Sequence, residues 1–407
     1  MIADPFPTSA ETVRLAPVAN RVADFDNTEI AFRHHSDFEL RKTYWLFRAM
    51  NNAWLTSVGT AAVSWAMKAG LPVKGLIKQT LFRHFCGGET IEECEATALH
   101  LEAENIQTVL DYSVEGEKTE AGFEQAVKEV AATISKAKSN RHFPFAVFKI
   151  TCLAGFELLA KVSAGETLSQ ADQEAFERAR RRVAFLCGLA ADGGLPVMID
   201  AEESWIQPAI DRIATEMMQK HNREKCLVLN TFQMYRHDRL AFLKASLETA
   251  KREGFYLGVK LVRGAYMEKE RKRAADFGYA SPIHAIKADT DRDYDSALNF
   301  CVLHRDHISL CAGTHNEASS SKLASLLQSP VDVPALPTYF SQLYGMGDHI
   351  SYNLAAAGFK VAKYVPFGPI KFVLPYLIRR AEENTSIAGH VSRELRLIES
   401  EMKRRGL

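Results

Sequence analysis

Two adjacent arginines in GPIKFVLPYLIRRAEEN (368–384) carry the sharpest chemical signal in the chain. If that segment is helical, Tyr376, Arg379, Arg380 and Glu383 share an arc of roughly 100°, with Leu374, Ile378 and Ala381 on the other side. A guanidinium binds a carboxylate through two parallel hydrogen bonds, and a neighbouring acid can orient it. Two such groups side by side suit a small carboxylic acid. The plainer reading is a solvent-facing helix with an i,i+4 Arg379–Glu383 pair, which stabilises a helix by only ~0.2–0.5 kcal/mol.

A second set of polar groups stands where short apolar runs stop. Asp111 and Glu115 close QTVLDYSV, Lys149 lies in FAVFKIT, Asp200 in PVMIDA, and Gln233 follows CLVLNTF. Arg263 and Tyr266 end the run that holds Lys260; Thr314, His315 and Asn316 follow ISLCAG; Tyr344 ends TYFSQLY. Strands of any protein tend to end in polar residues. Lys149, Asp200 and Lys260, however, lie inside or at the edge of otherwise apolar runs, where a charge needs a partner or a ligand.

These groups can act together only if the elements carrying them converge. The runs at 107–114, 145–151, 196–201, 226–232, 256–263, 308–314, 338–344 and 359–366 read as strands covered on both faces. Helical stretches at 119–137, 170–191, 203–221, 238–253, 283–304, 316–328, 347–357 and 369–384 alternate with them. Eight alternating units predict an α/β fold of the (β/α)8 barrel type, in which strand C-termini meet at one mouth. A doubly wound open sheet is the structural alternative. The seventh strand is the weakest, because Pro334 and Pro337 interrupt its approach. Residues 1–104 carry no strand signal; segments 38–50, 53–69, 73–85 and 89–104 look helical and form an N-terminal arm. The barrel is expected over 105–390, with a helical tail at 391–407.

Composition removes several classes. Fifty Lys+Arg balance fifty Asp+Glu, which argues against a nucleic-acid partner. A hydrophobic fraction of 47% with 25% charged residues excludes disorder. Seven cysteines without a CxxC pair read as reduced thiols, neither a disulfide frame nor a zinc site. Neither GxGxxG nor a P-loop occurs, so a nucleotide would need another cradle. The opening MIADPFPTSAE has early acids and no apolar run, which predicts neither a signal peptide nor a transit peptide. Residues 49–67 are free of charge but hold Asn, Ser and Thr, which favours packing or surface contact over a membrane span. The expected location is cytoplasmic, with peripheral contact on the inner face of the membrane.

The motifs LDYSVEGE (110–117), FKITCLAG (148–155), MIDAEES (198–204), NTFQMYRHD (230–238), KLVRGAYMEKER (260–271), AGTHN (312–316), LYGMGD (343–348) and YLIRRAEEN (376–384) stand in a familiar order. On them, residues 107–384 resemble the proline dehydrogenase (proline oxidase) family. The GAY motif and the final RRxxE helix are the specific parts, and the arm is similar to that of longer, mitochondrial-type members. The resemblance implies a distorted (β/α)8 barrel holding FAD noncovalently at the strand ends. It implies oxidation of L-proline to Δ1-pyrroline-5-carboxylate, the first step of proline catabolism, by hydride transfer from proline C5 to flavin N5. The electrons would pass to a quinone. By the same resemblance Arg379 and Arg380 clamp the proline carboxylate, Glu383 braces them, and Glu115 closes an ion-pair gate through Arg379. Lys149 is near the substrate, Asp200 is linked to the arginines, and Tyr344 and Tyr376 are pocket walls. Tyr266 shares their motif, and Ala265 lies in the loop beneath the flavin. Gln233, Lys260, Arg263, Lys287, Thr314, His315 and Asn316 are the flavin contacts. A common bacterial pattern has Arg and Lys where this chain has Lys260 and Arg263, so which cation meets flavin N5 stays open.

Three other readings remain. A hydroxyproline dehydrogenase would need more room than Tyr344 is expected to leave. A Schiff-base aldolase would use Lys149. A binding barrel would need the charged strand ends to be structural. No metal is expected: His304 and His307 form an HxxH without a suitably spaced acid.

Overall fold

The eight apolar runs form eight strands: β1 Ile106–Tyr112, β2 Ala146–Lys149, β3 Val197–Asp200, β4 Val228–Gln233, β5 Leu257–Val262, β6 Ile308–Gly313, β7 Thr338–Leu343 and β8 Val361–Phe367. All ladder pairs are parallel, and each strand pairs with its sequence neighbours from β2 round to β8, which pairs with β1. A hydrogen bond from the Thr108 N–H to His142 O, 2.9 Å, draws β1 towards the approach to β2 and nearly closes the ring. This sequential order is that of a barrel; a doubly wound sheet would place β1 in its interior. The computed structural model describes residues 23–52, 74–112, 118–140, 142–328, 334–386 and 390–407, with isolated positions between 53 and 73; the side chains of 74, 76, 381–386 and 390–392 fall outside that description.

Successive strand residues face opposite ways, and the packing shows which way is in. Ile106, Leu110, Val197, Ile199, Val259, Leu261, Ile308, Leu310, Val361 and Val365 join the core beneath the helices. Their alternates Val109, Val147, Met198, Leu229, Cys311, Ala362 and Tyr364 form a separate cluster inside the ring. Both faces are buried, which is why the strands read as apolar runs rather than alternations. Pro337 stands just outside β7, and its carbonyl accepts from the Leu310 N–H at 3.1 Å, so it removes no ladder donor.

The helices fall close to their expected bounds, with three additions, of which Thr28–Phe32 opens the arm. Phe156–Ala164 forms a short helix after β2, ended by Gly165 at φ 70°. Met267–Phe277 follows β5 and buries only Glu270 and Ala274; its lack of an apolar stripe hides it from a periodicity search. Asp37–Met50 starts on a capping box between Ser36 and Glu39. Phe47, Phe82 and Phe85 of the arm pack with Ile370, Val373, Tyr376 and Leu377 and with Leu397 and Ile398 in a second core. The helix Ile91–Ala103, by contrast, places Cys94, Ala98 and Leu101 in the barrel core. Most of the expected 53–69 helix lies outside the described residues. Among the described residues no helix is long and apolar enough to cross a membrane. All seven cysteines are free and buried.

Candidate active site

Alternation decides which strand-end groups share the mouth. On β3 the inward residues are Met198 and Asp200; on β8 they are Ala362 and Tyr364; on β2, Val147 and Lys149. By the same parity Asp111 of β1, Gln233 of β4 and Lys260 of β5 point inward. Lys149 and Asp200 are register partners on adjacent strands. The centre is tightly organised: Lys260 Nζ donates to Asp200 Oδ1 at 2.5 Å and to Tyr364 Oη at 2.6 Å. The ammonium stands 4.0 Å from the Tyr364 ring centroid, and Tyr364 Oη is 3.6 Å from Met198 Sδ. Burial, with Asp200 beside it, pushes the Tyr364 phenol well above its ordinary value, so it serves as a neutral donor and acceptor. An ammonium has three N–H groups, and these two bonds use two of them.

A second constellation rises from β5 and β6. Arg263 donates from Nε to Asp291 Oδ1 at 2.7 Å, from Nη1 to Thr314 Oγ1 at 2.7 Å and from Nη2 to Ser319 Oγ at 3.0 Å. Its guanidinium lies 4.4 Å from the Tyr294 ring centroid. The exposed Lys287 pairs with the same Asp291. Asn316 caps Glu317–Leu327, its side chain accepting from the Ser319 N–H. His315 Nε2 accepts from the Leu343 N–H at 3.3 Å. Gln233 Nε2 donates to Glu202 O at 2.6 Å, and its Oε1 faces the Ala265 N–H at 3.4 Å. Tyr266 occupies the N-cap position of Met267–Phe277. Gly313 ends β6 on the inward face, where a Cβ would press on Val262 and approach Lys260. The rim therefore offers cations, amide and hydroxyl groups.

The expected groups have distinct surroundings. Asp200 binds Lys260 and Tyr364. Tyr376 is buried in the second core, while Arg379 and Arg380 are half-buried. The Arg380 guanidinium lies 5.5 Å from the Tyr376 ring centroid. Tyr344 has the outward parity of Phe340 and Gln342. Its hydroxyl lies beside Thr97 of the 91–103 helix, and burial pushes its phenol up to about 12. Tyr364, which strand-end reading passed over, is the phenol that faces the mouth; its parity in FKVAKYVP was the available signal. Glu115 and the Glu383 side chain lie outside the described residues. His307 pairs with Asp306, and His304–His307 gathers no further metal ligand among the described residues.

Glu202 was also not singled out from sequence. It follows β3, accepts from the Thr151 N–H at 3.0 Å and from the Thr151 hydroxyl, and so ties the turn after Lys149 to the β3 end. Burial raises its carboxyl to about 7, against opposing hydrogen bonds from Thr151 and the charge of Lys149. Its folded pKa exceeds the unfolded value, so the native state holds the extra proton. Stability from this group is full below about pH 4.5 and declines as pH rises through about 7, by at most ~1.4 kcal/mol per pH unit. Glu202→Gln should remove that slope. Denaturant unfolding at about pH 5 and pH 7 should show the wild type losing on the order of 2 kcal/mol more than the variant. Parallel pH profiles would place the proton elsewhere.

The chain matches the family described as proline dehydrogenase over residues 94–393. It is 38% identical over 321 residues to the carbapenem antibiotics biosynthesis protein CarD of Pectobacterium carotovorum subsp. carotovorum, covering 79% of this chain and 83% of that protein. To the mitochondrial proline dehydrogenase 1 of Arabidopsis thaliana it is 32% identical over 378 residues, covering 82% and 76%. Among solved structures, proline utilization A of Bdellovibrio bacteriovorus, inactivated by N-propargylglycine, superposes with a TM-score of 0.72 at 19% identity. That match covers 90% of this chain and 42% of the larger protein, and it is a likeness of fold.

Proposed function

Because the chain belongs to the proline dehydrogenase family, we propose that it oxidises L-proline to Δ1-pyrroline-5-carboxylate with noncovalent FAD at the strand ends and a quinone as onward acceptor. It is an oxidoreductase acting on proline; the cofactor, the acceptor and the residue roles are our reading. One observation carries it: at the C-terminal end of a barrel matched to this family, Lys149, Asp200, Lys260 and Tyr364 have inward parity, with Lys260, Asp200 and Tyr364 bonded together.

The residues present suit a flavin. A flat ring needs a face kept free of further side chains, and at the inward Gly313 even a Cβ would crowd Val262 and the Leu261 carbonyl. Its heteroatoms need amide and cationic donors, which Gln233, Lys260 and Arg263 offer around that face. The Ala265 backbone lies beside the Gln233 amide. A pyrophosphate needs charge at the rim, where Lys287, Thr314, His315 and Asn316 stand. Bound FAD would supply the two-electron acceptor that takes a hydride from proline C5 at N5 and hands the electrons to a quinone.

The chain's own groups do the rest. Arg379 and Arg380 hold the proline carboxylate, the only strong handle on so small a substrate, and this orients the ring. Glu383 braces the pair, and Glu115 closes over the site through Arg379. Lys149 and Lys260 disfavour the ammonium form of the substrate amine by like charge. Asp200 and Tyr364 keep Lys260 in place, and Tyr364, rather than Tyr344, lies against the substrate side of the mouth. Tyr376 and Tyr266 support the arginine helix and the loop after β5.

The test is a spectrum. Purified protein should be yellow, and L-proline added without oxygen should bleach it. Colourless protein that cannot be reconstituted with FAD would end this reading, and borohydride trapping at Lys149 would replace it with Schiff-base chemistry.

A further inference from the structure

Away from the mouth, His34, His35 and Asp348 bring three metal-ligating atoms within 4.8 Å of one another. The histidines occupy the turn between Thr28–Phe32 and Asp37–Met50, and Asp348 opens Asp348–Ala356 after β7. Each imidazole Nε2 lies 3.9 Å from Asp348 Oδ2. That is too long for a direct hydrogen bond. It is within about half an ångström of the ~3.4 Å that separates ligands around a tetrahedral ion with bonds of ~2.1 Å.

The surroundings hold these groups in place. The His34 ring stacks on Tyr352 at 3.9 Å with an interplanar angle of 2°. The other Asp348 oxygen accepts from Lys363 Nζ at 2.7 Å, and that ammonium is held in turn by Met346 O at 2.6 Å. Such outer contacts orient a metal's ligands. His34 is almost wholly buried, whereas His35 and Asp348 are 17% exposed, which leaves water a route to a fourth position. Two imidazoles and a carboxylate form a ligand set for zinc and its neighbours.

We propose that His34, His35 and Asp348 bind one divalent transition-metal ion of the zinc class, which fastens the N-terminal arm to the outside of the barrel. The site is separate from the mouth: Lys363, which holds Asp348, has outward parity on β8, opposite to Tyr364.

Tag-free full-length protein, stripped with a chelator, should take up one equivalent of Zn2+ by calorimetry and by elemental analysis after dialysis. Its Tm should rise by several degrees on zinc addition. His35→Ala should weaken zinc binding at least tenfold and abolish the Tm rise, whereas His307→Ala should do neither. If His35→Ala does not fold, His35→Gln serves in its place. Wild-type protein that takes up no zinc at millimolar concentration, or His35 variants that bind as tightly as wild type, would overturn the site. Neither outcome touches the flavin reading, which is tested by colour and bleaching.

Discussion

Arg380→Met should raise the KM for L-proline by roughly a hundredfold while FAD remains bound, a loss of about 3 kcal/mol. The magnitude follows from the bond removed. A guanidinium–carboxylate pair makes two charge-assisted hydrogen bonds, each stronger than a neutral one, and proline offers no second anionic handle. Methionine keeps much of the side-chain stem that packs beside Tyr376, where the guanidinium now lies 5.5 Å from the ring centroid. Folding and flavin content should therefore stay near wild type. Steady-state kinetics with a dye acceptor, alongside the flavin-to-protein absorbance ratio, separates the two effects. An unchanged KM would remove Arg380 from the clamp, and a loss of flavin would make its role structural. Arg380→Lys should recover only part of the loss, because an ammonium cannot form the two parallel bonds.

The barrel was legible because its strands are buried on both faces, and continuous apolar runs survive in sequence without any partner in view. Which strand-end groups face one another was less legible, because that depends on parity. Reading the last polar residue of TYFSQLY selected Tyr344, yet it shares the outward face of Phe340 and lies beside Thr97. Counting alternate positions back from Tyr364 in β8 would have selected the phenol that reaches Lys260. Asp291 and Ser319 could not be foreseen as the partners of Arg263, since the helices carrying them are positioned by packing between distant parts of the chain. The same holds for Tyr376. A helical wheel puts it with the arginines, and the Arg380 guanidinium does lie 5.5 Å from its ring centroid, but its burial depends on the second core, built from the arm and the C-terminal helix. Short helices were lost for a local reason: Phe156–Ala164 spans nine residues, too few turns for a periodic stripe to stand out.

Lys363→Met should cost about 3–5 kcal/mol of stability, the largest loss expected from one change outside the mouth. Lys363 has no exposed surface. Its ammonium donates to Met346 O at 2.6 Å, to Asp348 Oδ1 at 2.7 Å and to Leu343 O at 3.3 Å. Methionine matches the volume closely but has no donor, so two carbonyls and a carboxylate would lose their partner together. Burial opposes ionisation of Asp348, yet the Lys363 ammonium beside it holds its carboxyl well below the usual carboxylate range. A depressed acid contributes stability above its unfolded pKa and loses it as pH falls. The gap between wild type and Lys363→Met should therefore be widest at neutral pH and narrow below about pH 4. Denaturant unfolding at both pH values checks this. The double variant Lys363→Met/Asp348→Asn isolates the cause: if an orphaned carboxylate dominates, it should be more stable than Lys363→Met alone. If the two single losses simply add, the ammonium acts through the β7-end carbonyls, and the ion pair contributes little.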